Sequence, residues 1–375
     1  MLFGMHAEKL CAQQQAPLDS IELGLVTCSP HEEIYSLYGH TAIRYHELST
    51  GRDLVFNYGV FNFNAPHFIA RFVLGKTDYE LGVCSTDDFC NYYKRWGSMV
   101  SEQVLNLTAD EKAMLINALA NNFKIENRTY RYNFFYDNCS TRPRDIIEHN
   151  IAGRVIYEER PDFCPSFREM IHDMNSHHPW ARMGNDLLLG VKADQKTNRK
   201  EQEFLPCNLQ YDFDHAQIYA NGQYRPLVKE RHVLVDAGVQ MIEKEFPLSP
   251  NECAVLLLLI FVGILLIEWK RKQCLVWFDA ITMLLTGLAG CIVAVMFFSE
   301  HPTTSTNLQV LLLNPIHLFF IPSLLRHRTT SYWHLQLVLV GLFLLGGIWQ
   351  DYADGMEILA LCLLTRILSH KKNDK

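Results

Sequence analysis

The first twenty residues lack the apolar run of a secretory signal, a start that is at odds with the exported domain expected below. Residues 11–19 are polar, and 1–19 are expected to be a disordered N-terminus or the remnant of a signal peptide. The favoured expectation is a reading frame that begins late; the alternative is that the first membrane helix drives export. A basic field is also missing. Lys and Arg number 34 against 41 Asp and Glu, for a net charge of −7, which argues against a nucleic-acid partner. Nor is there a set of metal ligands at recognisable spacing. His31 beside Glu32 and Glu33, and the pair His177-His178, have no companion ligands and read as solvated loops, so no metal is expected.

What is present is unevenly spread. The 375 residues are long for one domain, and the 49% hydrophobic fraction is concentrated towards the C-terminus. Apolar runs at 253–269, 274–298, 308–325, 335–349 and 356–369 are near the length a membrane span needs, the last two being short. The loops carry alternating charge. Lys270, Arg271 and Lys272 follow the first run, Ser299–Asn307 has no Lys or Arg, Arg326 and Arg328 follow the third, 350–355 is acidic and 370–375 is basic. Five spans with a cytoplasmic C-terminus satisfy this pattern and place residues 1–252 outside the cytoplasm. Asp279, Asn314 and His317 lie inside the runs and are taken as structural. The organisation expected is a domain over 20–238, a linker over 239–252, a membrane domain over 253–369 and a tail over 370–375.

The chemistry centres on Arg131–Asp145. Tyr132 to Tyr136 reads as a short aromatic strand that breaks at Asp137-Asn138 and opens into a helix, with Pro143 tolerated in its first turn. Cys139 then sits at or just before a helix N-terminus, where unpaired N–H groups and the macrodipole favour a thiolate. The rival readings are a buried apolar cysteine or half a disulfide.

An earlier stretch supplies a base. Gly39-His40 precedes an alternating segment to Tyr45, a polar turn follows at 47–52, and Asp53–Gly59 reads as the second strand of a hairpin. With His46 opposite Asp53, Asn57 falls opposite Ala42, and His40 and Asn57 become diagonal neighbours on one face. Asn57 can then hold the far nitrogen of the imidazole, with Tyr58 and Asp53 as alternatives. Cys28 is a rival nucleophile, but Ser29-Pro30 makes a turn and not a helix start.

Three stretches, Ser36-Leu-Tyr-Gly-His-Thr-Ala-Ile-Arg44, Phe56-Asn-Tyr-Gly59 and Tyr136-Asp-Asn-Cys-Ser-Thr141, resemble the N-terminal periplasmic domain of the Lnb family, bacterial lipoprotein N-acyltransferases with a C-terminal membrane domain. The likeness runs through most of 20–235. The order of histidine, polar residue and cysteine is also that of circularly permuted papain-like folds, which NlpC-type peptidases and lecithin–retinol acyltransferase relatives share. The fold class expected is therefore α+β, a permuted papain-like extracytoplasmic domain followed by a five-helix transmembrane domain. The resemblance implies an inner-membrane enzyme that moves an acyl chain from a phospholipid, through a thioester on Cys139, to the amine of a diacylated lipoprotein. His40 would be the base and Asn57 its partner. Tyr38, Arg44 and Tyr58 are expected at the substrate, and Asn138 or Ser140, with the Cys139 N–H, at the oxyanion. No cofactor is implied. A cell-wall peptidase or amidase of NlpC type and a non-catalytic envelope-assembly protein are the alternatives.

Other segments are read more plainly. Ile21–Thr27 is a strand, and Thr108-Ala-Asp-Glu111 is a capping box that opens a helix of about fifteen residues. Phe61–Leu74 is an aromatic run read as core or as a wall for acyl chains. Residues 151–238 read as irregular, with Gln210–Asp214 as a late strand and a hairpin turning at Asn221-Gly222. Cys84 with Cys90, or Cys164 with Cys207, are possible disulfides.

Overall fold

The computed structural model describes residues 17–33, 36–61, 66–240, 246–326 and 330–373. The expectations for residues 1–16, for 62–65 of the aromatic run, for 241–245 of the linker, for Arg328 after the third apolar run and for the last two residues lie outside the described residues. The chain forms two compact units, each discontinuous in sequence: 1–64, 78–163 and 198–242 in the first; 65–77, 164–197 and 243–375 in the second. The insertions 65–77 and 164–197 fall inside the stretch that the sequence reading assigns to one domain. The aromatic run divides too, with Phe61 in the first unit and the helix Phe68–Val73 in the second.

The first unit is α+β. Strands β1 (Ile21–Cys28), β2 (His40–Glu47), β3 (Arg52–Val60), β4 (Asp78–Ser85), β5 (Val100–Leu105), β6 (Thr129–Arg131) and β10 (Val228–Val235) form one antiparallel sheet in the order β10-β5-β1-β2-β3-β4-β6. Strands β7 (Arg154–Ile156), β8 (Gln217–Ala220) and β9 (Gln223–Pro226) form a second. The period-2 pleat sorts side chains onto two faces. Leu23, Leu25, Ile43 and Phe56 enter one core; Val26, Cys28, Ala42 and Val55 enter the other, beside Phe89 and Tyr93 of the helix Thr86–Arg95. Both faces are covered, so a slip of one residue would exchange the two cores. The register is thereby fixed.

The capping box at Thr108–Glu111 is present and opens the helix Ala109–Asn122. The Glu111 side chain is buried, accepting from the N–H groups of Thr108 (2.8 Å) and Ala152 (2.9 Å) and from Arg225 (2.5 Å). The hairpin turn at Asn221-Gly222 is also present, with both residues at positive φ as a type I′ turn requires.

Four expectations need correction. Tyr132–Tyr136 is not a strand, since β6 ends at Arg131 and the Asn133 side chain accepts from the N–H groups of Phe135 and Tyr136, which folds the aromatics into a turn. Gln210–Asp214 belongs to the helix Pro206–His215, whose Leu209, Asp212 and Phe213 recur at helical spacing and are buried. The stretch 151–238 is not irregular. Ser166-Phe-Arg-Glu169 and Asn198-Arg-Lys-Glu201 are both capping boxes that open helices. His31 is also not in a solvated loop; it is buried and stacked on Trp96 at 4.8 Å.

Among the described residues, the second unit holds three helices long and apolar enough to cross a membrane, Pro250–Arg271, Val276–Met296 and Leu308–Leu325, and a shorter apolar helix, Ser331–Gly346. Leu259, Leu285 and Phe319 project outward, as lipid-facing side chains would. Inside, Asp279 faces its neighbours: Arg366 donates to it at 2.6 Å and to Glu268 at 2.7 and 2.8 Å, and His370 approaches it at 2.8 Å. The Nδ1 of His317 meets the Thr286 hydroxyl at 2.7 Å, and the Asn314 side chain accepts from the Ile316 N–H. Each of these polar groups has a local partner, as burial among apolar helices demands. Gly290 lies against the Asn314 N–H and the Leu313 carbonyl so closely that a Cβ would come within 2.5 Å of both.

Glu111 gives the first testable expectation. Burial raises its carboxyl pKa, but Arg225 and the two N–H groups outweigh that and hold it below the usual carboxylate value. The stabilisation is present above the ordinary Glu pKa and is lost as pH falls through the folded value. Glu111→Ala should cost about 3 kcal/mol in denaturant titrations at pH 7, with a smaller difference from wild type at pH 3.

Candidate active site

The site is assembled by β2, β3 and the turn before the helix Thr141–His149. In the β2–β3 ladder His46 stands opposite Asp53 and Ile43 opposite Phe56. That register puts His40 and Asn57 on one face, and the His40 Nε2 lies 2.6 Å from the Asn57 Oδ1. An amide oxygen only accepts, so Nε2 carries the proton and the lone pair of a neutral ring sits on Nδ1. The other hydrogen bond of His40 goes to Cys139. Phe89 and Tyr93 lie against the ring, each with its centroid at 6.3 Å, and Tyr93 is nearly parallel to it.

Cys139 is half-buried at the turn, one residue before the Ser140 N-cap. Asn138 builds that turn. Its Oδ1 accepts from the N–H groups of Ser140 and Thr141, both at 2.9 Å, and its amide donates to the carbonyls of Phe134 and Phe204. The Asn138 N–H in turn donates to the Thr141 hydroxyl at 2.8 Å. Burial opposes ionisation of Cys139. The positive charge and hydrogen bond of His40, the Thr41 N–H and the Ser140 hydroxyl outweigh it and lower the thiol pKa. The same pairing raises His40 against the effect of its burial, with Asn57 contributing. Each shift is towards the charged form, which is the direction that makes a cysteine nucleophilic.

Gly59 keeps the approach open. It sits at φ +96° in a bulge of β3, between Asn57 opposite Gly82 and Val60 opposite Glu80. A Cβ there would lie 3.6 Å from the Cys139 Cβ and 3.8 Å from the His40 Cε1. A side chain at 59 would therefore occupy the space beside the dyad, and a bulge at a glycine supplies the necessary backbone.

The other residues singled out from the sequence fall in different places. Asp53 does not reach His40: its carboxylate binds Arg44 at 2.5 and 2.8 Å and takes the Thr86 hydroxyl. Arg44 also donates to Glu102 at 2.6 Å, so its guanidinium is committed to two carboxylates and is not presented to a substrate. Tyr58 alternates to the opposite face, where it is buried against Tyr130 at 6.3 Å. Tyr38 packs its ring edge on Phe134 at 4.8 Å. The amides of Asn138 and Ser140 are occupied within the turn, which leaves the Cys139 N–H as the donor without an acceptor there, among the described residues. Cys28 pairs directly with His40 across β1–β2, but its thiol is fully buried, and burial pushes its pKa well up despite a bond to Tyr93. Cys84, Cys90, Cys164 and Cys207 are free thiols. Thr41 was not singled out. Its alternation onto the face opposite His40 gave no hint that its N–H reaches the sulfur.

The pairing predicts a distinct pH profile. Cys139 should react with iodoacetamide below the usual thiol range, because its pKa is lowered, while Cys28 stays unlabelled in the folded chain. Peptide mapping after brief labelling at pH 6 should find Cys139 first. His40→Ala should move its reactivity up towards the range of a free thiol near pH 8.5, and Asn57→Ala should do so less.

The N-terminal half, residues 8–170, matches the family model of the Lnb N-terminal periplasmic domain, and residues 241–373 match that of the Lnb transmembrane domain. No curated protein and no solved structure matches the chain. The two matches occur in the order in which the sheet-rich unit and the apolar helices follow one another, and between them they take in both His40 and Cys139. The chain is a member of the Lnb family, with a periplasmic N-terminal domain and a C-terminal transmembrane domain.

Proposed function

We propose that this chain is a membrane-bound thiol acyltransferase that moves an acyl chain from a phospholipid to the N-terminal amine of a diacylated lipoprotein. The observation that carries this reading is the contact of His40 with both Cys139 and Asn57 in a chain that belongs to the Lnb family. The order of histidine on one strand, amide on the next and cysteine before a later helix is that of circularly permuted papain-like enzymes, and we assign the periplasmic domain to that group.

In the first half-reaction the Cys139 thiolate attacks the ester carbonyl of the donor lipid. The Cys139 N–H faces the oxyanion of the tetrahedral intermediate. The C–O bond then breaks, and the leaving alkoxide takes a proton from the His40 imidazolium, which releases a lysophospholipid and leaves a thioester on Cys139 with His40 neutral. In the second half-reaction the lipoprotein amine attacks that thioester, His40 accepts the amine proton, and the C–S bond breaks to give the amide and the thiolate again. Asn57 fixes the tautomer that makes Nδ1 the base throughout.

The membrane domain fits this reading because donor and acceptor both reside in a bilayer. We place the chain in the bacterial inner membrane, with the periplasmic domain and the linker outside and the C-terminus in the cytoplasm; the alternation of loop charge supports that orientation. We assign the five apolar runs as five spans on the same ground.

The test is the mass of a lipoprotein's N-terminal peptide from cells without their own N-acyltransferase, supplied with this protein or with Cys139→Ala. A third acyl chain should appear with the wild type and be absent with the variant. A peptide that stays diacylated with the wild type inserted in the membrane would end the acyltransferase reading and direct attention to cell-wall peptides. A third chain added by both proteins would leave the activity and remove Cys139 from it.

A further inference from the structure

Ser140 and Thr41 are both fully buried, and their hydroxyl oxygens lie 3.1 Å apart. They come from distant parts of the chain, Thr41 from β2 and Ser140 from the turn that carries the cysteine. Neither is taken up by the helix cap: the Ser140 side chain caps nothing, and the turn's N–H groups are served by Asn138 and Thr141. The Ser140 hydroxyl and the Thr41 N–H both hydrogen-bond the neighbouring Cys139 sulfur.

A hydroxyl has one proton to give. If Ser140 gives its proton to the sulfur, its oxygen is left to accept, and the Thr41 hydroxyl is the group placed to donate to it. We infer that Thr41 and Ser140 form a two-hydroxyl relay that ends on the Cys139 sulfur, making both of them positioning residues for the nucleophile. The inference rests on the reading of Cys139 as the nucleophile and deepens it.

The relay has a consequence for both half-reactions. Donors in series polarise one another, so the second hydroxyl strengthens the hydrogen bond made by the first. Hydrogen bonds to sulfur stabilise the thiolate more than the neutral thioester, because charge makes the better acceptor. They hold the thiolate before attack on the donor ester. They act again when the C–S bond breaks, since the sulfur then leaves as an anion. Thr41 serves the sulfur twice, directly through its N–H and at one remove through its hydroxyl, so only the second contribution depends on its side chain. Because β2 carries both His40 and Thr41, one strand aligns the base and the relay together.

The experiment uses the full chain in detergent micelles and reads the rate of Cys139 alkylation by iodoacetamide against pH, with circular dichroism melting to verify each variant's fold. Ser140→Ala should slow alkylation at pH 6 roughly tenfold, as the loss of one hydrogen bond to a charged group would. Thr41→Val, which keeps the shape and the N–H, should slow it roughly threefold, and Thr41→Ser should restore the wild-type rate. Because Thr41 acts through Ser140, the double variant should be no slower than Ser140→Ala alone. A wild-type profile for folded Thr41→Val, or additive effects in the double variant, would overturn the relay. If Thr41→Val does not fold, Ser140→Ala decides the matter, since a wild-type profile for it removes the terminal donor. Alkylation does not depend on the lipid substrates. Failure of lipoprotein acylation with the predicted alkylation profile would therefore end the proposed function and leave the relay standing, and the reverse outcome would do the opposite.

Discussion

Everything proposed for this protein depends on the hydrogen bond between His40 and Cys139. Burial disfavours charge on each of these two half-buried groups, and facing each other shifts both back towards their charged forms. The rest of the first unit is arranged to keep them facing. The β2–β3 register delivers Asn57 to the far nitrogen of the ring, Asn138 fixes the turn that presents the sulfur, and Gly59 clears the space beside both. Register, turn and bulge are three local devices, and each is set by a short stretch of sequence.

That is why this part of the site was legible beforehand. Two strands separated by a polar turn admit few registers, and one with His46 opposite Asp53 necessarily brings His40 and Asn57 to the same face. The capping box at Thr108 and the Asn221-Gly222 turn were legible for the same reason, since their signals lie within four residues. What was not legible depended on partners distant in sequence. Arg44 resembled a substrate ligand until β1 and β5 placed Glu102 beside it, a pairing that no local pattern announces. Thr41 meets Ser140 and the sulfur only because a turn 99 residues later in the chain packs on β2.

Some local signals were present and were outweighed. Pro206 at the first turn of its helix, with Leu209 and Phe213 four apart, argued for a helix where alternating Tyr-Asp-Phe-Asp suggested a strand. The side chain of Asn133 closed a turn in a run whose aromatics had suggested a strand. In both cases side-chain composition misled and the backbone-binding residue, a proline or an asparagine, was the better guide. The apolar runs of the second unit were the plainest feature of the sequence. The pairing of Arg366 with Glu268 and Asp279 shows how charges are carried among them.

The central claim is that the acyl chain passes through Cys139. The most direct test incubates the purified full chain with phosphatidylethanolamine vesicles and no acceptor, then measures the mass of the peptide that contains Cys139. The account predicts an acyl adduct on Cys139 that hydroxylamine removes, formed by the wild type and lost in His40→Ala. An adduct on another residue, or none from a preparation that acylates lipoproteins when they are added, would contradict it.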